Sequence, residues 1–251
     1  SYMAIFQPIT SMVSNSLDLY KNICKMSDEL GISLVTSRIL INRGICDPRQ
    51  AREFLNPSLD ALSNPFDIQD MDKAVKRIEQ AVKEGQHVTI YGDYDVDGMT
   101  ASAVLYNFLS KNGCSVDVYL PHRHSEGYGI NKSALEAIYE QGTDLIISVD
   151  CGITAIEETE YAKELGMDII ITDHHQCGAV LPDAIAVVNP RRNPELYGNY
   201  QLAGVGVAGK LVHALGGIKS LEEYLDLICL GTIADVVPLI DENRILVAKG
   251  L

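Results

Sequence analysis

Apolar runs punctuate the middle of the chain, and three of them stop at an acidic residue. His87-Val88-Thr89-Ile90-Tyr91 leads into Gly92-Asp93, Leu145-Ile146-Ile147-Ser148-Val149 into Asp150, and Ile169-Ile170-Ile171-Thr172 into Asp173. Short continuous runs rich in Val and Ile, separated by helical stretches, predict strands of a parallel sheet covered on both faces. Val116 to Leu120 and Ala184 to Val188 supply two further strands. Between them, residues 99–111, 131–141 and 154–165 carry apolar positions three to four apart. Asn131 and Thr154 are placed to cap their helices, and Gly113, Gly142 and Gly166 to end them. The pattern predicts an α/β fold with a doubly wound, mostly parallel sheet and helices on both faces.

Ahead of it, residues 1–74 read as a helical N-terminal segment packing on that core, with residues 75–251 as the α/β domain. Ser27-Asp28-Glu29 looks like a helix start, Asp47-Pro48 begins a short helix ending near Asn56-Pro57, and Asp72 to Glu84 forms an amphipathic helix with Ala74, Val75, Ile78, Ala81 and Val82 inward.

In sheets of this kind ligands bind beyond the carboxyl ends of the strands. The residues that fall there are Asp93, Asp95 and Asp97, then Asp150, then Asp173-His174-His175, with Asp235 further on. Carboxylates and imidazoles brought to one place favour divalent cations, which points to a metal-dependent hydrolase. Alternate aspartates in an extended segment project to one side, so Asp93, Asp95 and Asp97 are expected to converge while Tyr94 and Val96 pack on the other. A calcium loop is excluded, because its twelfth position is Val104 inside an apolar helix rather than an acidic ligand. Gly204-x-Gly206-x-x-Gly209 lacks a preceding strand and a following acidic residue, so it reads as a close-packed loop and helix start rather than a dinucleotide fingerprint.

Tyr91 to Gly98, Asp150-Cys151-Gly152, Asp173-His174-His175 and Gly231 to Leu239 resemble the ordered motifs of the DHH phosphoesterase superfamily. Within it, His122-Arg123, Glu126-Gly127-Tyr128-Gly129, Val188-Asn189-Pro190-Arg191-Arg192 and Leu202 to Ala208 resemble the RecJ family of single-strand-specific exonucleases, a similarity running from about residue 30 to 251. The resemblance implies that Asp93, Asp95, Asp150, His174 and Asp235 hold two divalent ions, Mn2+ or Mg2+, with Asp150 bridging. It implies that His175 works at the metals or on the scissile phosphate, and that Asp97 and Asp173 orient the ligands, so the catalytic set reads as His175, Asp150, Asp97 and Arg123. His122, Arg123, Arg191 and Arg192, with Lys132, are candidates for phosphate contact; ordinary surface charge is the alternative for each cation, and a structural role for His122. Tyr128 either stacks on a base or covers the core edge. His124 and His213 lack a spaced partner and read as surface or capping residues.

The implied activity is stepwise release of 5′-mononucleotides from the 5′ end of single-stranded DNA in repair and recombination, with a single-strand-binding protein and a helicase as partners. Alternatives are a DHH phosphoesterase acting on short oligonucleotides, cyclic dinucleotides or pyrophosphate, and a catalytically idle binding module. Two departures from the family stand out: Gly209 where a bulky residue is usual, and an end at Leu251 before the substrate-binding domains that full-length relatives carry.

A formal net charge of −14 and a pI near 4.7 argue for weak nucleic-acid binding by this chain. Six cysteines without a C-x-x-C pair and without a secretory leader read as reduced thiols in a cytoplasmic protein, and Cys151 as a small buried residue. No apolar stretch approaches membrane-spanning length.

Overall fold

The computed structural model describes residues 6–121 and 129–251, with side chains described from Leu17 onward. It divides into two compact units, Ser1–Pro57 and Ser58–Leu251.

In the first unit, α1 (Phe6–Leu30), α2 (Leu34–Asn42) and α3 (Pro48–Leu55) surround a small core of Met26, Leu40, Ile45 and Ala51. Ser33 caps α2 by accepting from the Thr36 amide, and Asp47 caps α3 by accepting from Gln50, with Pro48 in the first turn. The helix start expected at Ser27-Asp28-Glu29 is instead the last turn of α1. Ser27 spends its hydroxyl on the Ile32 carbonyl beyond the helix end, a stop device rather than a start.

The second unit runs α4 (Met71–Glu84), β1 (His87–Gly92), α5 (Val96–Lys111), β2 (Ser115–Tyr119), α6 (Lys132–Glu140), β3 (Leu145–Val149), α7 (Ile156–Glu164), β4 (Asp168–Thr172), β5 (Ala186–Val188), α8 (Pro194–Tyr197), α9 (Gly204–Gly216), α10 (Ile218–Glu222), α11 (Leu225–Ala234) and α12 (Asp241–Gly250). Every strand pairing is parallel and the order is β2-β1-β3-β4-β5, so the winding reverses between β1 and β3. The sequence pattern divides the chain at 74/75. Residues 58–74 nevertheless contribute Ile68, Met71 and Ala74 to the core of the sheet unit.

Strand alternation sorts the core into two layers. Val88, Ile90, Leu145, Ile147, Val149, Ile170 and Val188 pack beneath α4, α5, α9 and α11, while Tyr91, Ile146, Ile169, Ile171 and Val187 pack beneath α6 and α7. The thicker layer is the one that carries α5, α9 and α11, the helices whose ends reach the carboxyl edge of the sheet. Gly209 lets α9 lie close to its neighbours, since a Cβ there would stand 2.8 Å from Ile228 Cδ1. A bulky side chain at that position needs wider helix spacing than this chain has.

Asn131 caps α6 as expected, accepting from Ala134 at 2.8 Å. Thr154 does not cap α7; the helix starts two residues later behind Ala155, without a side-chain cap. All six cysteines are free, and Cys151 is buried with its thiol on the Tyr91 carbonyl. No helix among the described residues is long and apolar enough to cross a membrane.

Candidate metal centre

The residues at the strand ends reach the centre by different routes. Asp93 follows β1 directly. Asp95 is the N-cap of α5, its Oδ1 accepting from Gly98 N at 2.9 Å. That cap turns the chain into a helix from Val96 on, so the expected extended alternation of Asp93, Asp95 and Asp97 does not form: Val96 is exposed and Asp97 lies in the first helical turn. The turn is tight enough to require glycine, because a Cβ on Gly98 would stand 2.6 Å from the Asp93 carbonyl oxygen.

Asp97 then acts on another helix. Its Oδ2 accepts from Gly204 N at 2.6 Å and its Oδ1 from Val205 N at 2.8 Å, which caps α9 from across the fold. Gly204 also lies against Asp150, where a Cβ would come within 2.6 Å of that carboxylate. Asp150 itself ends β3 at φ 59, a left-handed conformation that a non-glycine residue keeps only when its surroundings enforce it. Its amide donates to the Thr172 carbonyl.

Asp173 organises the two histidines after β4. Its Oδ1 accepts from the His174 amide at 2.7 Å, the His175 amide at 3.1 Å and His175 Nδ1 at 2.7 Å, while Oδ2 accepts from Ile153 N. Burial opposes the Asp173 charge, but these hydrogen bonds and the His175 charge outweigh it and hold the carboxyl below its ordinary range. The same hydrogen bond raises His175 to about 9. Asp235, the C-cap of α11, completes the centre.

Together they make three overlapping groups: Asp150, His174 and His175; Asp97, His174 and Asp235; and Asp93, Asp95 and Asp150. Within each group the ligand atoms all lie within 4.8 Å of one another. Asp150 and His174 belong to two groups each. His174 Nε2 stands 3.1 Å from Asp150 Oδ1, 3.7 Å from Asp235 Oδ2 and 3.8 Å from Asp97 Oδ2. Burial and then the neighbouring Asp95 charge push Asp150 up to about 9, and burial and then Asp150 push Asp97 up to about 7. Burial also raises Asp93 and Asp235. Asp93 Oδ1 and His174 Nδ1 are buried without a hydrogen-bond partner among the described residues. Mutually repelling carboxylates, uncommitted buried polar atoms and an oxygen-and-imidazole ligand set fit hard or borderline divalent cations.

Asn189, to which the sequence pattern assigns no role of its own, closes the loop over this edge. Its Nδ2 donates to the His175 carbonyl and its Oδ1 accepts from Arg191 N, while Arg191 Nε donates to the His174 carbonyl at 2.6 Å. The Asn-Pro-Arg-Arg run is the signal that could have found it. Arg191 is close enough for its charge to favour the ionised Asp235. Arg192, a phosphate candidate by sequence, is instead held by Asp70 at 2.5 Å and by the Val187 carbonyl. Lys132 pairs with Glu157 and lies over the Tyr161 ring, on the α6–α7 side of the sheet. His213, half-buried on α9, joins none of the three groups. His122, Arg123, His124 and Tyr128 lie outside the described residues.

A family model described as the DHH family, N-terminal domain, matches residues 87–232. Among curated proteins, the single-stranded-DNA-specific exonuclease RecJ of Bacillus subtilis is 46% identical over 226 residues, covering 90% of this chain and 29% of that protein. The RecJ of Escherichia coli is 36% identical over 229 residues, covering 85% and 39% respectively. Among solved structures, RecJ of Thermus thermophilus in complex with Mn2+ superposes with a TM-score of 0.76 at 31% identity, covering 93% of this chain and 33% of that one. An exonuclease RecJ bound to manganese gives 0.70 at 37% identity, covering 77% and 49%. The chain thus spans about a third of the length of the curated relatives it matches. With the family model covering more than half of its residues and the ligand-bearing strand ends all inside the matched span, the chain belongs to the DHH family and is similar to the RecJ proteins.

Proposed function

We propose that this chain is the catalytic core of a metal-dependent phosphodiester hydrolase that removes 5′-mononucleotides from the 5′ end of single-stranded DNA. The observation that carries the reading is the set of three ligand groups joined through Asp150 and His174, which suits a pair of divalent ions. The solved RecJ structures in complex with Mn2+ or Mg2+ support the identity of the ions. Asp93, Asp95, Asp150, His174 and Asp235 would hold them, and the pair, when bound, would supply a nucleophilic water and neutralise charge on the phosphate.

The chain's own groups do the rest. Asp173 fixes the His175 ring through Nδ1, so Nε2 is the nitrogen presented to phosphate, and the hydrogen bond keeps the ring basic enough to hold a proton for the leaving oxygen. Asp97 keeps Gly204 and α9 against Asp150, which fixes the carboxylate in place. Arg191 and, from the sequence motif, Arg123 and His122 add positive charge and donors for the phosphate; the Asp70 bond gives Arg192 a supporting role instead. Six free thiols suit a reducing, cytoplasmic setting. A helicase and a single-strand-binding protein, implied by the family resemblance, would generate and present the substrate.

Product analysis on 5′-phosphorylated single strands tests the reading, with duplex and dinucleotide controls, with and without Mn2+. Metal-dependent mononucleotide release, lost in Asp150→Ala while the fold persists, is the expected result. Hydrolysis unchanged in Asp150→Ala would remove the two-metal assignment, and cleavage confined to the dinucleotide would move the chain to the small-substrate phosphoesterases.

A further inference from the structure

Asp70 occupies the N-cap position of α4, yet its side chain makes no bond to cap that helix, and its backbone is left-handed at φ 64. The carboxylate is committed elsewhere. Oδ2 accepts from Arg192 Nη1 at 2.5 Å and from Val187 N at 3.3 Å, and Oδ1 pairs with Lys73. Arg192 Nη1 also donates to the Val187 carbonyl. Both partners of the ion pair are 12% exposed. Val187 is in the middle of β5, the edge strand of the sheet, so Asp70 and Arg192 satisfy an amide and a carbonyl that a further strand would otherwise take.

The pair also anchors the end of a turn. Arg192 N donates to the Asn189 carbonyl, and from the turn so formed Asn189 reaches the His175 carbonyl and Arg191 the His174 carbonyl. Asp173 takes the amides of the same two histidines. The backbone of the His174-His175 pair is therefore gripped on both sides, and one of the two grips is anchored by Asp70, 122 positions upstream of Arg192.

We propose that Asp70 and Arg192 are a positioning pair for the metal-site residues His174 and His175, acting through the Asn189–Arg192 turn. The proposal rests on the metal reading above for its effect on ion affinity, and on the hydrogen-bond path alone for its effect on the loop. Arg192→Lys keeps the charge but not the planar guanidinium whose Nη1 meets both Asp70 and the Val187 carbonyl, so it should restore only part of what Arg192→Gln removes. Asp70→Asn removes the charge and keeps the shape.

The test measures Mn2+ affinity by calorimetry and amide exchange by NMR in the whole chain, with β3 amides as the fold control. In Asp70→Asn and Arg192→Gln, Mn2+ affinity is expected to fall about 10- to 100-fold. The His174 and His175 amides should lose protection while β3 keeps its own, and saturating Mn2+ should recover turnover. Mn2+ affinity within about twofold of wild type, with both histidine amides still protected, would overturn the proposal. If Arg192→Gln does not fold, Arg192→Lys carries the same two readouts. Absence of Mn2+ binding in the unsubstituted chain would overturn the metal reading instead, and the amide protection then decides the positioning role by itself.

Discussion

Asp150 shows how little of a site residue's behaviour is local. The apolar run before it predicts a strand end, but its left-handed backbone and its contact with Gly204 are consequences of what lies around it. The same surroundings hold Asp150 up at about 9 and Asp97 at about 7. At about pH 7 the metal-free centre therefore carries protons that a bound cation must displace. A raised carboxyl competes with the metal below its own pKa, so affinity should rise with pH between about 7 and 9, by roughly tenfold per pH unit for each proton displaced. Calorimetric Mn2+ titrations in buffers of unlike ionisation heat measure that release directly. Flat affinity over this window, with no protons released, would mean that these carboxylates are already ionised and that burial does not govern them. The ligand-type residues themselves are legible in the sequence because most of them follow an apolar run closely. The duties of Asp97 and Asp173 are not, since one caps a helix 107 residues away in sequence and the other serves amides in its own loop.

Elements are legible where periodicity alone decides them and less so where a side chain redirects the chain. All five strands appear where the apolar runs put them, and the glycines after α5, α6 and α7 sit at positive φ as stops. Alternation in an extended segment is the simplest way to gather three aspartates, which is why the acidic run after β1 predicts one. The Asp95 cap starts α5 earlier, and Asp97 reaches the centre from a helix instead. That geometry makes α9 depend on Asp97, since its own N-cap residue is Ala203, which has no capping side chain. Asp97→Ala should leave the Gly204 and Val205 amides unpaired and cost about 1–3 kcal/mol in metal-free denaturation, partly offset by relief of repulsion with Asp150. Asp97→Asn, which keeps an acceptor, should cost less. If the alanine variant is as stable as the parent in EDTA, Asp97 does not anchor α9 and its place is only that of a ligand.

At the scale of the whole chain, charge and chemistry pull in opposite directions. A net charge of −14 repels a polyanion, and the Debye length of about 10 Å at roughly 0.1 M salt leaves only cations near the site able to help. Arg191 is such a cation at the described edge of the centre, whereas Arg192 is already neutralised by Asp70. Two divalent ions would bring four positive charges to the one place where strand ends and loops converge, so metal and DNA binding should be strongly coupled. In EDTA, fluorescence anisotropy with a short single strand should register no binding at physiological salt. With Mn2+ and the Asp150-containing site intact, weak binding should appear, with a shallow dependence on salt. For single strands each neutralised phosphate contributes about −0.7 to the slope of log K against log salt, so one or two phosphates at the centre give a slope between roughly −0.7 and −1.4. A steep slope in EDTA would instead reveal a cationic track away from the metal centre and would separate DNA binding from it. A shallow, metal-dependent slope would mean that binding by this chain is confined to one or two phosphates at the metal centre.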